Sequence, residues 1–164
     1  MRNKNFYLMH GVAGSGKSTL VRECGLVDYS INPDAYRLEM AGVKIDDYGN
    51  EVISNLEDRA VWARVYYEIQ RRMQRGDEII ILDATNLGSL SSYKRWAKTY
   101  GYNLILVDFQ VSLEELLRRN TIENRNIAYI PDEVTKKMYE RKKRQDISGF
   151  CVISPEEFAS YFVN

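Results

Sequence analysis

Phe6-Tyr7-Leu8-Met9-His10-Gly11-Val12-Ala13-Gly14-Ser15-Gly16-Lys17-Ser18-Thr19 is the stretch from which the fold can be read. Phe6 to His10 is a short apolar run that reads as a buried strand. It feeds a glycine loop, Gly11 to Ser18, and a helix opens from about Lys17, punctuated by Gly25. The loop matches the pattern G-x-x-x-x-G-K-[ST]. Its glycines let successive backbone N–H groups turn inward toward phosphate oxygens, and the helix N-terminus behind them adds a favourable dipole. Lys17 is within reach of the β- and γ-phosphates of a nucleoside triphosphate, and Ser18 can place its hydroxyl on Mg²⁺. A glycine-rich turn that matches by chance is the competing reading; a strand before, a helix after and Thr19 continuing the pattern weigh against it. Gly11, Val12, Ala13, Gly14, Ser15, Gly16, Lys17, Ser18 and Thr19 are therefore the expected nucleotide-binding residues, with ATP and Mg²⁺ as the expected ligands.

Outward from the loop, strands and helices alternate. Val27 to Ile31 reads as a second strand, and Asn32-Pro33 as N-cap and first helical residue. Ala41 to Asn50 reads as an irregular polar connection. Ser54-Asn55-Leu56-Glu57 has the form of a capping box and is expected to open a long helix that ends at Arg75 before Gly76. Glu78 to Leu82 is the most apolar strand and ends on Asp83. Leu90, Tyr93, Ala97 and Tyr100 recur at helical spacing up to Gly101, and Leu104 to Phe109 is the next strand. Ser112-Leu113-Glu114-Glu115 is a further capping box, for a short helix through Arg119. Pro131-Asp132-Glu133 starts a helix that ends in Arg141 to Arg144, with acid at its start and base at its end. Cys151 to Ile153 reads as an edge strand, and Ser154-Pro155-Glu156-Glu157 caps a last short helix. The alternation predicts an α/β fold with a mainly parallel sheet of four or five strands and helices on both faces. In such sheets ligands gather at the carboxyl ends of the strands.

The composition narrows the class. The 164 residues, 45% hydrophobic and 28% charged, fit one domain spanning 1–164. Lys plus Arg and Asp plus Glu each number 23, so there is no global basic field, although a local basic face suffices for nucleic acid. Cys24, Cys151 and the lone His10 form no metal-ligand pattern. No apolar run is long enough to span a membrane and the start is unlike a signal peptide, so the expected location is the cytoplasm, with no membrane partner.

Four further groups carry candidate chemistry. Asp83, ending a strand, can orient Mg²⁺ or an active-site partner, or simply cap the turn Ala84-Thr85-Asn86. Asp34 and Arg37 are three apart at a helix start and can share one face. A carboxylate there can accept the proton of an acceptor hydroxyl, and the cation can hold an anionic acceptor; the alternative is a favourable first-turn acid with a solvated arginine beside it. Arg118, Arg119 and Arg125 sit around the polar segment Asn120 to Ile130, and about 119–130 reads as a lid able to bring an arginine to a transferring phosphoryl group. Lys136, Lys137, Arg141, Lys142, Lys143 and Arg144 form either a solvated helix face or a polyanion-attracting one. His10 reads as a buried strand residue. Tyr66, Tyr67, Tyr93, Trp96 and Tyr100 read as core.

With these residues in view, the chain resembles the 5′-kinase domain of the phage polynucleotide kinase family, from about Phe6 to Arg144. The resemblance rests on Gly11 to Thr19, Ser30 to Arg37, Leu82-Asp83-Ala84-Thr85-Asn86-Leu87, Trp96 to Tyr102, Leu113 to Asn120 and Arg125 to Pro131. It implies a three-layer P-loop kinase fold with a helical lid, and transfer of the ATP γ-phosphate to the 5′-hydroxyl end of DNA or RNA. It implies Asp34, Lys17 and Arg125 as catalytic residues, Asp34 being the general base. Arg37, with Asp34 and Asp83, would contact the acceptor, Ser18 the metal, and Arg119 and Arg125 the nucleotide from the lid. If the chain is phage-encoded, the cytoplasm is a host's. Pro33 and Ala35 depart from the more polar neighbours usual around the base, and the family's Asp-x-Asp-Gly-Thr phosphatase motif is absent, so phosphatase activity is not expected. A small-molecule kinase acting on a nucleoside, nucleotide or sugar, and a nucleotide-binding regulatory module without transfer activity, are the alternatives.

Overall fold

A computed structural model describes residues 2–163. Five strands form one parallel sheet: β1 (Asn5–His10), β2 (Ser30–Ile31), β5 (Ile79–Leu82), β6 (Asn103–Asp108) and β7 (Cys151–Ile153), in the spatial order β2-β5-β1-β6-β7. Between β2 and β5 in sequence lie β3 (Val43–Ile45) and β4 (Glu51–Ile53), paired as a separate antiparallel hairpin. The helices are α1 (Lys17–Glu23), α2 (Pro33–Met40), α3 (Asp58–Arg75), α4 (Ser91–Tyr100), α5 (Leu113–Arg119), α6 (Ile122–Arg125), α7 (Asp132–Arg144) and α8 (Pro155–Ser160).

The three layers follow from the period of two along the strands. Phe6 and Leu8 of β1, with Ile80 and Leu82 of β5, face a core closed by Val65, Ile69 and Met73 of α3 and Tyr93 and Ala97 of α4. Tyr7 and Met9, with Ile81, face the opposite way, onto Val21 of α1 and Phe158 of α8. Both faces of the central strands are thus buried, and β1 and β5 read as continuous apolar runs. On α3 the stripe Val61, Val65, Ile69, Met73 is fully inward, each side chain contributing roughly 1.5–3 kcal/mol by burial.

Local chemistry sets several helix starts. The Asn32 side chain accepts from Asp34 N at 2.9 Å, with Pro33 as first residue of α2. Ser112 and Ser154 cap α5 and α8 by accepting from Glu115 N and Glu157 N.

Four expectations are corrected. The stretch from Ala41 to Asn50 is not irregular: it contains β3 and the turn into β4, and Asp46 Oδ1 holds the turn by accepting from Tyr48 N and Asn50 N. Ser54 does not cap the long helix. Its N–H donates to Gly42 O, closing the hairpin, and its hydroxyl accepts from Leu56 N, so α3 starts four residues later at Asp58. The second strand is shorter than expected, because Val27–Tyr29 forms a 3₁₀ turn. Among the aromatics expected in the core, Tyr93 is buried but Tyr67 is 66% exposed.

Candidate active site

The strand order explains how distant segments meet. β1, β5 and β2 are neighbours, so the loops leaving their carboxyl ends bring Lys17, Asp83 and Asp34 to one edge. They line a cleft of about 900 Å³ whose walls include the glycine loop, Asn32, Arg37, Trp62, Thr85, Arg118 and the lid residues Arg119 and Arg125.

The glycine loop is held by close backbone approaches. Gly16 sits at φ 102° as N-cap of α1, and Gly14 at φ 84°. A Cβ on Gly14 would lie 2.2 Å from Asn120 Oδ1, so this position is closed to side chains twice over, by conformation and by space. Gly11 N donates to Thr85 O, tying the loop to the segment after β5. Asn86, at φ 55°, turns its amide back to donate to Met9 O at 2.6 Å and fastens the same two strand ends.

Lys17 is buried at the cleft floor, its ammonium donating to Gly11 O at 3.0 Å and Val12 O at 2.9 Å. Burial lowers its pKa to about 8; Asp83 and Asp34 pull it upward, and Arg125 opposes them. A buried cation resting only on neutral oxygens beside an open cleft fits an anionic phosphate. Ser18 Oγ donates to Asp83 Oδ2 at 2.6 Å, and burial raises the Asp83 carboxyl above its ordinary range against the opposing pull of Ser18 and Lys17. One hydroxyl and one carboxylate side by side suit a hard cation that keeps most of its other positions for water and phosphate, so the pair fits Mg²⁺. Among the described residues no group of three or more His, Cys, Asp and Glu side chains could hold a metal by itself.

Opposite the loop, Arg37 Nη1 donates to Asp34 Oδ1 at 2.7 Å, while its Nε and Nη2 donate to the two oxygens of Asp58 at 2.8 and 3.0 Å. Burial works against the guanidinium charge, but these hydrogen bonds outweigh it and raise its pKa. Asp34 is 47% exposed, so the carboxylate expected to meet a hydroxyl is open to the cleft. The lid residues 119–130 form the end of α5, the short α6 and a 3₁₀ turn, Asn126–Ala128, and Tyr129 Oη donates to Asp46 Oδ2 at 3.0 Å on the hairpin. Arg119 Nη1 donates to Gly14 O at 3.2 Å, and Arg125 Nη1 to Asn120 Oδ1 at 2.9 Å. Burial lowers the Arg125 pKa, with Asp34 opposing.

Every residue expected at the site thus borders this cleft or its loop. Sequence reasoning missed Asp58, which fixes Arg37, Trp62 one turn further along α3, and Asn120, whose Nδ2 donates to Ala13 O at 2.7 Å and to Thr135 Oγ1 at 3.2 Å. Only Asn120 left a local signal, as the residue directly after Arg119. Cys24 and Cys151 are free thiols. His10 is buried within β1 as expected, between Asp108 and Gln145. Among the described residues no helix is long and apolar enough to cross a membrane.

A family model described as an AAA domain, AAA_33, matches residues 6–144. The chain belongs to this AAA-domain family. No curated protein matches the sequence. Among solved structures, a chain of a Pnkp1/Rnl/Hen1 complex is similar at 24% identity and TM-score 0.54 over 74% of this AAA-domain chain, which spans only 40% of that chain's length. A protein of Chloroflexus aurantiacus j-10-fl is similar at 14% identity and TM-score 0.64, covering 97% of this chain and 96% of that one. Shikimate kinase from Acinetobacter baumannii is similar at 15% identity and TM-score 0.55, with 97% and 90% covered. The fold is that of P-loop kinases.

Proposed function

We propose that this chain is a 5′-hydroxyl polynucleotide kinase that transfers the γ-phosphoryl group of ATP to a DNA or RNA 5′-end. The observation that carries the reading is the Asp34–Arg37 pair, backed by Asp58, facing the Lys17–Ser18 loop across one cleft. Lys17 holds the β- and γ-phosphates, and Arg119 and Arg125 close on the nucleotide from the lid. A second cavity of about 570 Å³, bordered by Gly16, Thr19, Arg119 and Pro155, flanks the loop on its other side and suits the nucleoside of the donor. Ser18 and Asp83 would hold Mg²⁺, which when bound neutralises charge on the phosphate oxygens. Asp34 takes the proton of the 5′-hydroxyl as the new O–P bond forms and the bond to the leaving β-phosphate oxygen breaks. Arg37, kept in place by Asp58, exchanges its contact with Asp34 for the phosphate next to the terminal nucleoside. Arg125 stabilises the charge spread over the transferring group. The transition state is loose, so positioning and charge outweigh base strength.

A small-molecule acceptor is the second reading, favoured by the likeness to shikimate kinase over 90% of that enzyme's chain. One experiment decides between them. The protein is given Mg²⁺, γ-labelled ATP and, separately, a 5′-hydroxyl oligonucleotide, a nucleoside 3′-monophosphate and a pool of small hydroxy acids and sugars. Label is expected in the oligonucleotide. Its absence there, from protein that binds ATP, refutes the polynucleotide reading. Asp34→Ala is expected to keep ATP binding while transfer falls by about 10²–10⁴-fold; unchanged transfer would remove Asp34 from the role of base.

A further inference from the structure

The cations of this chain fall into two populations. On α3, Glu68 accepts from Arg71 and Arg72, and Asp77 accepts from Arg75; on α5, Glu115 accepts from Arg118 and Arg119. Lys94 and Lys98 on α4, and Lys137, Arg141 and Arg144 on α7, are exposed, and none has a carboxylate in ion-pairing contact among the described residues. Helix surfaces ordinarily mix the two signs, yet α4 contains no acidic residue. The spacing places Lys94 and Lys98 on one face of α4, and Lys137, Arg141 and Arg144 on one face of α7, each four-residue step rising about 6 Å along the axis.

The two stripes join beside the cleft. A Cβ placed on Gly88 would lie 3.4 Å from Nη2 of Arg141. Gln145, at the end of α7, donates to Asn86 O and Gly88 O in the loop that leads into α4. The Lys94 ammonium lies 5.1 Å from the centre of the Phe150 ring, which follows α7. Met138, one turn before Arg141, lines the cleft itself. A track rich in unpaired cations therefore begins at the cleft wall and continues outward over α4; on α7 it is flanked by Glu133 and by Glu140, which pairs with Lys143, on a chain whose formal net charge is zero.

We propose that this track, Lys137–Arg141–Arg144 joined to Lys94–Lys98, binds the phosphodiester backbone of a single-stranded acceptor beyond its terminal nucleotide. The inference rests on the polynucleotide reading of the cleft and deepens it. A dinucleotide reaches the cleft alone; a longer strand also lies on the track, and its affinity gains through counterion release.

The test is fluorescence anisotropy of a 3′-labelled, 5′-hydroxyl single-stranded 12-mer and of a dinucleotide, without ATP, over a salt series. The 12-mer is expected to bind the unaltered protein more tightly. Replacing Lys94→Ala, Lys98→Ala and Arg141→Ala together is expected to raise the 12-mer Kd on the order of tenfold at low salt. The same variant is expected to flatten the slope of log affinity against log salt by about 2, at roughly 0.7 per lost phosphate contact. A matched variant that removes three paired cations, Arg2→Ala, Arg71→Ala and Arg75→Ala, is expected to change neither. Transfer to a nucleoside 3′-monophosphate is expected to be the same in all three proteins. Equal affinity for 12-mer and dinucleotide, or an unchanged salt slope in the track variant, overturns the inference even if oligonucleotides are phosphorylated. Failure of label transfer to every nucleic acid refutes the cleft reading separately, because the anisotropy experiment does not depend on transfer.

Discussion

The phosphate-loop half of the cleft holds its groups with backbone, whereas the opposite half holds them with side chains. Lys17 rests on the carbonyls of Gly11 and Val12, and Gly14 and Asn120 leave no room for a methyl group between them. Arg37 hangs between Asp34 and Asp58, two carboxylates that are 47% and 35% exposed. The first arrangement is fixed by the fold of the chain. The second is an ion triad that can re-pair when one partner changes. Substitutions in the loop half should therefore damage folding and binding together, while those in the acceptor half should act on the acceptor alone.

The largest expected effect is that of Lys17→Ala, a loss of transfer on the order of 10²–10³-fold with weakened ATP binding, measured by single-turnover labelling and titration calorimetry. If this variant loses transfer yet binds ATP normally, the loop half is less tied to binding than its geometry implies. Next comes Gly14→Ala, which forces a residue with a Cβ into φ 84° and against Asn120. It is expected to lose about 1–3 kcal/mol of stability, visible as a lower Tm, together with nucleotide affinity. Full stability would break the contrast outright.

Asp58→Ala should show the acceptor half at work. With one anchor gone, Arg37 turns wholly to Asp34, and the acceptor KM is expected to rise about tenfold, equivalent to about 1.4 kcal/mol. ATP affinity and Tm should stay close to those of the parent. A matching loss of ATP affinity would show that the two halves are not separable.

The smallest effect is a proton. Burial lowers Lys17 from 10.5 to about 8, so between those values the unfolded chain binds more protons than the folded one. The penalty for burying the charged amine is fully felt below pH 8, and stability recovers as pH rises toward 10.5. Bound phosphate favours the charged amine, so nucleotide binding at about pH 8.5 is expected to take up a fraction of a proton and to weaken as pH rises. Calorimetry in two buffers of different ionisation enthalpy measures the uptake, which Lys17→Met should remove.

The parts legible in the sequence were those whose physics is local. The glycine loop, the Asn32-Pro33 start of α2 and the serine caps of α5 and α8 are each decided within a few residues. The hairpin was not legible. Its strands are three residues each and largely exposed, and what defines them is their pairing with one another and the bond from Tyr129 in the lid. The same pairing misdirected the reading of Ser54, because a serine followed three residues later by glutamate carries no sign that its own N–H is already committed to Gly42. At the site, Lys17 and Ser18 could be nominated from the motif, Asp83 from its strand end, Asp34 and Arg37 from a helix start, and Arg125 from the polar segment between two helices and the family resemblance. Asp58 and Trp62 could not, since their roles depend on how α3 lies beside α2.

Asn120 joins three parts of the molecule with one amide. It fills the space beneath Gly14, donates to Ala13 O and Thr135 Oγ1, and accepts from Arg125. The arginine over the cleft and the curl of the phosphate loop therefore share a single mechanical linkage. Loss of that one amide would therefore release the loop carbonyl, the lid arginine and the α7 hydroxyl at once, which no other side chain of the cleft described above could do.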